Sequence, residues 1–122
     1  MSGRDLYVLE ARVNRRNYRE FVLRWRTWGE RIAEVARRLL GEGTRVFVFG
    51  SAVKGEALPG SDLDVLIVSE RVPEDVEGRV DIIRELEGEL GLPERHPIEF
   101  HLATPEEYEE VWKALLDEYQ EF

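Results

Sequence analysis

Hydrophobic residues between Tyr18 and Leu39 recur at intervals of three and four. Tyr18, Phe21, Trp25, Trp28, Ile32, Val35 and Leu39 fall on one side of an α-helix, which the spacing predicts from about Asn14 to Leu40. Val22, Ala36 and Leu40 widen the stripe, and Gly41 and Gly43 end it. Such a stripe is expected to pack on the protein's own sheet. The alternative is docking on another chain, with Arg24, Arg31 and Arg38 along the flank to meet an acidic partner. Residues 5–13, with Leu6, Val8 and Leu9, fit either a helix or an edge strand.

Beyond Gly43 the period changes. Arg45–Phe49, Asp62–Ser69 and Pro97–Leu102 are short β-branched and aromatic runs, so three strands are predicted. Between the last two, Val76–Leu90 reads as a helix with Val76, Val80, Ile83, Leu86 and Leu90 inward, closed by Gly91 and Pro93. Thr104 with Glu107 forms a capping box, Pro105 takes the first helical position, and a last helix follows to about Tyr119. The fold class is α/β (α+β): a small mixed sheet of three or more strands flanked by helices, with a long N-terminal helix. No repeat or linker divides the chain, so residues 1–122 read as one domain, a helical segment 1–41 followed by a core 42–122.

Composition narrows the class. A 43% apolar fraction in 122 residues suits one compact domain. No run approaches the roughly 20 apolar residues of a membrane span, and no signal-peptide core opens the chain. With no cysteine there is neither a disulfide framework nor thiolate chemistry, and a cytoplasmic location is expected. A net charge of −9 argues against strong binding to nucleic-acid backbones. That charge is uneven: residues 1–40 hold ten Arg against five acids, and residues 41–122 hold seven Lys or Arg against twenty-one. The positive end is therefore expected to have its own partner. The abundance of Arg and Glu suggests a thermophile.

Candidate chemistry lies between Phe49 and Val68. Gly50 follows the first strand directly and lets the backbone turn close to a ligand, Ser51 adds a hydroxyl and an N–H, and Gly55 permits a second close approach. Backbone N–H groups gathered at such a turn make an anion site. Gly50 and Gly55 have the separation of a Walker A loop, but Glu56 stands where its Lys must be, which excludes that motif. No Gly-x-Gly-x-x-Gly is present either. An ordinary strand-to-helix turn is the plain alternative.

Asp62 and Asp64 stand two apart at the head of a strand, which puts both carboxylates on one face, their Cα atoms roughly 6.5–7 Å apart. Hard cations such as Mg²⁺ take oxygen ligands of this kind. Leu66 at the third ligand position excludes an EF-hand. In the third strand Glu99 and His101 share a face opposite Ile98 and Phe100. If that strand lies beside Asp62–Asp64, Glu99 completes a three-carboxylate cluster able to hold two divalent ions; an exposed edge-strand Glu is the alternative. His101 is expected to carry a proton or sit on the surface rather than bind metal, and His96 to be a loop residue.

Gly50-Ser51-x3-Gly55-x5-Ser61-Asp62-x-Asp64, followed by Val65–Val68, resembles the signature of the DNA polymerase β-like nucleotidyltransferases, in particular the minimal nucleotidyltransferases of archaea and bacteria. The Pro-Ile-Glu-Phe-His strand and Thr-Pro-Glu-Glu-Tyr helix start are also similar to archaeal members. The resemblance implies a palm-like core and an active enzyme. Gly50 and Ser51 would contact the triphosphate of ATP or another nucleoside triphosphate, with Lys54, Gly55 and Ser61 alongside. Asp62, Asp64 and Glu99 would hold two Mg²⁺, one activating an acceptor hydroxyl and one stabilising pyrophosphate, with Glu99 as general base. Many relatives have Arg-Gly where this chain has Lys54-Gly55, so the charge is kept and the bidentate fork lost. The minimal members resemble the antitoxin half of a pair with a HEPN-type helical protein and transfer AMP onto a partner tyrosine. The expectations that follow are an adenylyltransferase acting on such a partner, or a nucleotide-binding module that masks it. Self-association through the N-terminal helix is a further possibility.

Overall fold

The computed structural model describes residues 2–122. Helix α1 (Gly3–Asn17) opens on a complete capping box: the Ser2 side chain accepts from the Asp5 N–H and the Asp5 side chain accepts from the Ser2 N–H. A single π-helical turn, Tyr18–Val22, follows, and α2 (Trp25–Leu40) begins after a bend at Arg24. Residues 5–13 are therefore helical, and the continuous helix expected from Asn14 to Leu40 is broken. The break has a packing cause. The wide turn lets both Phe21 and Val22 reach the interior, and Phe21 stacks on Trp28 at 4.7 Å. The Arg24 N–H bonds Phe21 O instead of its helical acceptor Glu20 O, which is taken by the Trp28 indole at 2.8 Å. Most of the predicted stripe is buried in the protein's own core. The exposed large apolar residues at this end are Leu6, Tyr7, Val8 and Leu9 on α1 and Leu23 at the bend, so most of the apolar surface free to dock lies earlier in the chain than the predicted stripe.

The sheet has four strands in the order β3-β2-β1-β4. β1 (Arg45–Phe49) pairs antiparallel with β2 (Leu63–Val68) and with β4 (Tyr119–Glu121), while β3 (Ile98–Ala103) pairs parallel with β2. A four-residue helix α3 (Ser51–Lys54) follows β1. The crossover between the parallel strands is α4 (Val76–Leu90), as parallel pairing requires. From Leu63 to Val68 only Asp64 is not buried, which explains the nearly unbroken apolar run of β2.

Leu63, Val65 and Ile67 face the larger core with α2 and α4, whereas Leu66 and Val68 face a smaller one with Phe47, Ala103 and Tyr108. Each fully buried aliphatic side chain contributes about 1.5–3 kcal/mol. The smaller core is roofed by a bent C-terminal helix: α5 (Pro105–Glu107), a π-helical turn Tyr108–Trp112, and α6 (Lys113–Leu115). It stops at Leu115, short of the expected Tyr119. The next residues form β4 instead, held by the two-point Arg45–Glu121 contact at 2.9 Å for each bond. Phe122 turns back onto α2, edge-on to Trp25, and a Cβ at Gly29 would sit 2.5 Å from its ring.

Helix α4 departs from expectation at its start. Leu86 and Leu90 are buried and Ile83 is half-buried, but Val76 and Val80 face solvent, with 76% and 37% exposure. Asp75 caps the helix by accepting from the Gly78 N–H, and Pro73 lies where any side chain at residue 78 would clash. This entry angle turns Arg79 inward instead of Val80. Arg79 donates to Pro73 O at 2.7 Å, Leu102 O at 3.0 Å and Glu107 Oε1 at 2.6 Å, tying three segments together.

The Arg79 hydrogen bond, followed by that from the Thr104 N–H, holds the Glu107 carboxyl below the ordinary carboxylate range. A lowered carboxyl contributes stability above its unfolded pKa and loses it as pH falls through the folded value. Arg79→Ala is expected to destabilise by about 2 kcal/mol at neutral pH in urea unfolding. The gap from wild type should narrow as pH falls from the ordinary glutamate range through the lowered folded value of Glu107, and close once Glu107 is protonated in both states. A gap independent of pH would show that the ion pair contributes nothing.

Candidate active site

The parallel register sets Asp64 opposite Glu99 and Leu66 opposite His101. The Leu63 N–H donates to Pro97 O at 2.8 Å, which starts the ladder. Alternation then directs Asp64, Glu99 and His101 to the sheet face opposite α2 and α4. One donor atom from each of these three lies within 4.8 Å of the others. His101 Nε2 is 3.4 Å from Asp64 Oδ1 and 3.9 Å from Glu99 Oε1. The imidazole is held sideways by aromatic neighbours, with centroids at 5.1 Å from Trp112 and 5.6 Å from Phe49. His101 is thus a member of the cluster rather than a plain surface residue. Its intimacy with the carboxylates was hidden from the sequence because Trp112, from the bent C-terminal helix, completes its frame.

Asp62 stands differently from the expectation of two carboxylates side by side on one pleat. It precedes the first residue of β2, is exposed, and lies outside the tight group of three. It is still close enough to act on Glu99 by charge. The Glu99 carboxyl is pushed above its ordinary value, first by loss of solvent and then by repulsion from Asp64 and Asp62, with His101 opposing. Glu99 is on an edge strand and half-exposed. The edge-strand position and the place beside Asp64 hold together.

The glycine turn abuts this cluster. Gly50 has φ +84°, and a Cβ there would lie 2.5 Å from Asp64 Oδ2. Backbone and carboxylate approach so closely that only glycine fits. Ser51 starts α3, whose end is closed by Gly55 in the left-handed region at φ +73°. Lys54 points toward the C-terminal segment, 3.7 Å from Asp117, an exposed and weak pair. Ser61 closes a turn: its Oγ accepts from the Leu58 N–H and its own N–H donates to Leu58 O. His96 has a firmer role than a loop residue. Its Nδ1 accepts from the Ile98 N–H at 3.0 Å and its Nε2 meets Glu87, which pins the start of β3 to α4.

The donor chemistry fits a hard divalent cation. Asp64 and Glu99 offer carboxylate oxygens within reach of one another, with Asp62 nearby, while the imidazole suits softer metals. A mixed palm-like sheet with paired acids on its open face and a glycine-serine turn alongside is the architecture of a nucleotidyltransferase. Residues 30–120 match the model of the nucleotidyltransferase domain, and the chain belongs to that family. A candidate nucleotidyltransferase from Sulfolobus solfataricus shares the fold with a TM-score of 0.56 at 18% identity, over 93% of this chain and 85% of its own. A second candidate nucleotidyltransferase has a TM-score of 0.58 at 26% identity, over 76% of this chain and 95% of its own. No curated protein sequence matches significantly.

Gly50→Ala tests the close approach. The substitution is expected to cost about 1–3 kcal/mol of unfolding free energy from the strained φ alone. An unchanged denaturation midpoint would show that the Gly50–Asp64 contact is not built as described.

Proposed function

We propose that this protein is a Mg²⁺-dependent nucleotidyltransferase that moves AMP from ATP to a hydroxyl on a partner protein. The observation that carries the catalytic part is the pairing of Asp64 with Glu99 beside the Gly50 turn. In this reading the backbone of Gly50 and Ser51 cradles the triphosphate, with Gly55 and Ser61 lining its path. Lys54, only weakly held by Asp117, swings to the phosphate charge. Asp62, Asp64 and Glu99 would hold two Mg²⁺. Bound there, the ions supply Lewis-acid activation of the acceptor hydroxyl and charge neutralisation of departing pyrophosphate.

Glu99, beside Asp64 on the neighbouring strand, is the group placed to take the acceptor proton. The acceptor oxygen bonds to the α-phosphorus as the bond from that phosphorus to the bridging oxygen breaks, releasing pyrophosphate. His101, fixed between the two carboxylates, is placed to pass the proton onward.

The acceptor is assigned to a HEPN-type helical protein, with this chain as antitoxin. One feature supports an external acceptor: α1 carries exposed apolar residues at Leu6–Leu9 for docking. A second reading, a nucleotide-binding module that masks its partner without chemistry, is favoured by the imidazole wedged among the carboxylates. Neutralisation that survives loss of all three acids would support it.

The test is transfer of label from α-labelled ATP, with Mg²⁺, onto a co-purified HEPN-type helical protein. Asp62→Asn/Asp64→Asn should abolish labelling, and Glu99→Gln should slow it about 10²- to 10⁴-fold. Undiminished labelling by the double variant sinks the mechanism. An unlabelled partner with wild type sinks the acceptor assignment.

A further inference from the structure

Asp62 also lines a cavity of about 260 Å³. Its walls come from three separate segments: Asn14 and Asn17 of α1, Ser61 and Asp62 at the entry to β2, and Arg95 and Pro97 before β3. Helix α1 lies outside residues 30–120, the part of the chain that matches the family model. One wall thus comes from outside the matched domain.

The walls are fixed in advance. Asn17 is buried at 8% exposure; its Oδ1 accepts from Arg16 at 2.8 and 3.2 Å, and its Nδ2 donates to Arg95 O at 2.9 Å. Arg16 donates to the same carbonyl at 2.9 Å, so α1 and the loop before β3 are locked together. On the opposite side Gly60, at φ +98°, lets the turn approach the Asn14 amide, which would lie 3.5 Å from any Cβ there. Asn14 makes no side-chain hydrogen bond among the described residues, although it lines the cavity. Its amide thus brings both a donor and an acceptor to the space.

The charges do not favour a phosphate chain, because the cavity sets Arg95 against Asp62 and is otherwise neutral. They favour a flat, uncharged group with hydrogen-bonding edges. A side-chain amide pairs with nucleobase edges of that kind, and a guanidinium stacks on base planes.

We propose that this cavity is the nucleoside subsite, holding the base and ribose of the nucleotide while the triphosphate runs past Asp62 toward Gly50. It rests on the nucleotidyl-transfer reading and assigns α1 the task of recognising the nucleoside. The size suits a nucleoside and is too small for a folded acceptor surface.

The test compares two probes on the full chain with Mg²⁺, by calorimetry: α,β-methylene ATP, which cannot transfer AMP, and inorganic tripolyphosphate, which has no nucleoside. Wild type should bind the ATP analogue at least about 10-fold more tightly than tripolyphosphate. Asn14→Trp, which fills the cavity, should reduce analogue affinity to nearly that of tripolyphosphate and leave tripolyphosphate binding unchanged. Asn14→Ala, a milder change that favours the helix, should weaken the analogue about 3- to 10-fold, the loss of one or two neutral hydrogen bonds. Analogue binding unchanged in both variants overturns the proposal, as does equal binding of the two probes by wild type. If the variants bind the analogue normally but lose transfer, the cavity serves the acceptor instead and the proposal is wrong. If wild type binds neither probe, the nucleotide reading itself falls and this inference with it.

Discussion

The parallel pairing of β2 with β3 is the constraint on which the rest depends. Parallel strands begin at the same end of a sheet, so acids near the start of each must become neighbours. The register then decides everything, because a slip of one residue would turn Glu99 into the larger core and Phe100 toward Asp64. The chain guards against that slip at both ends of β3. His96 holds its start through the Ile98 N–H and Glu87, and Arg79 holds its end through Leu102 O. Between these pins the crossover helix has little freedom to shift.

The cluster is electrostatically uncomfortable as it stands. Glu99 bears repulsion from two aspartates, and only His101 eases it. Folded proteins tolerate such crowding where a ligand or reaction relieves it. Here the crowding is confined to the open end of a sheet that is otherwise apolar on both faces, and the rigid core, not the acids, bears the cost of holding them together.

Much of this was legible in the sequence, for identifiable reasons. The three principal strands announced themselves as short β-branched and aromatic runs, and Asp64 and Glu99 by being polar where their neighbours are not. The Gly50-Ser51 turn could be read because a glycine directly after a strand leaves few alternatives. What escaped depended on contacts distant in sequence. The bend before α2 keeps the three-and-four spacing on both sides, so periodicity cannot see it; Trp28 reaching the Glu20 carbonyl reveals it. Val76 and Val80 fit an inward stripe until Arg79 takes the inward place through bonds to Pro73, Leu102 and Glu107. Strand β4 is three residues long, too short for any alternation to register, and exists because Arg45 and the edge of β1 are waiting for it. Asp62 was read as a strand residue, but the ladder starts one residue later.

That last strand has a consequence for how the protein is made. β1 lies inside the sheet, yet its two partners are far apart along the chain: residues 63–68 on one side and 119–121 on the other. As the chain leaves the ribosome, one edge of a strongly apolar strand stays bare until residues 119–121 have emerged. A bare strand edge invites pairing with other chains. The interval between synthesis of Phe49 and synthesis of Tyr119 is therefore the period of greatest exposure to misassembly. Arg45 places a charge at the mouth of that open edge while it waits for Glu121.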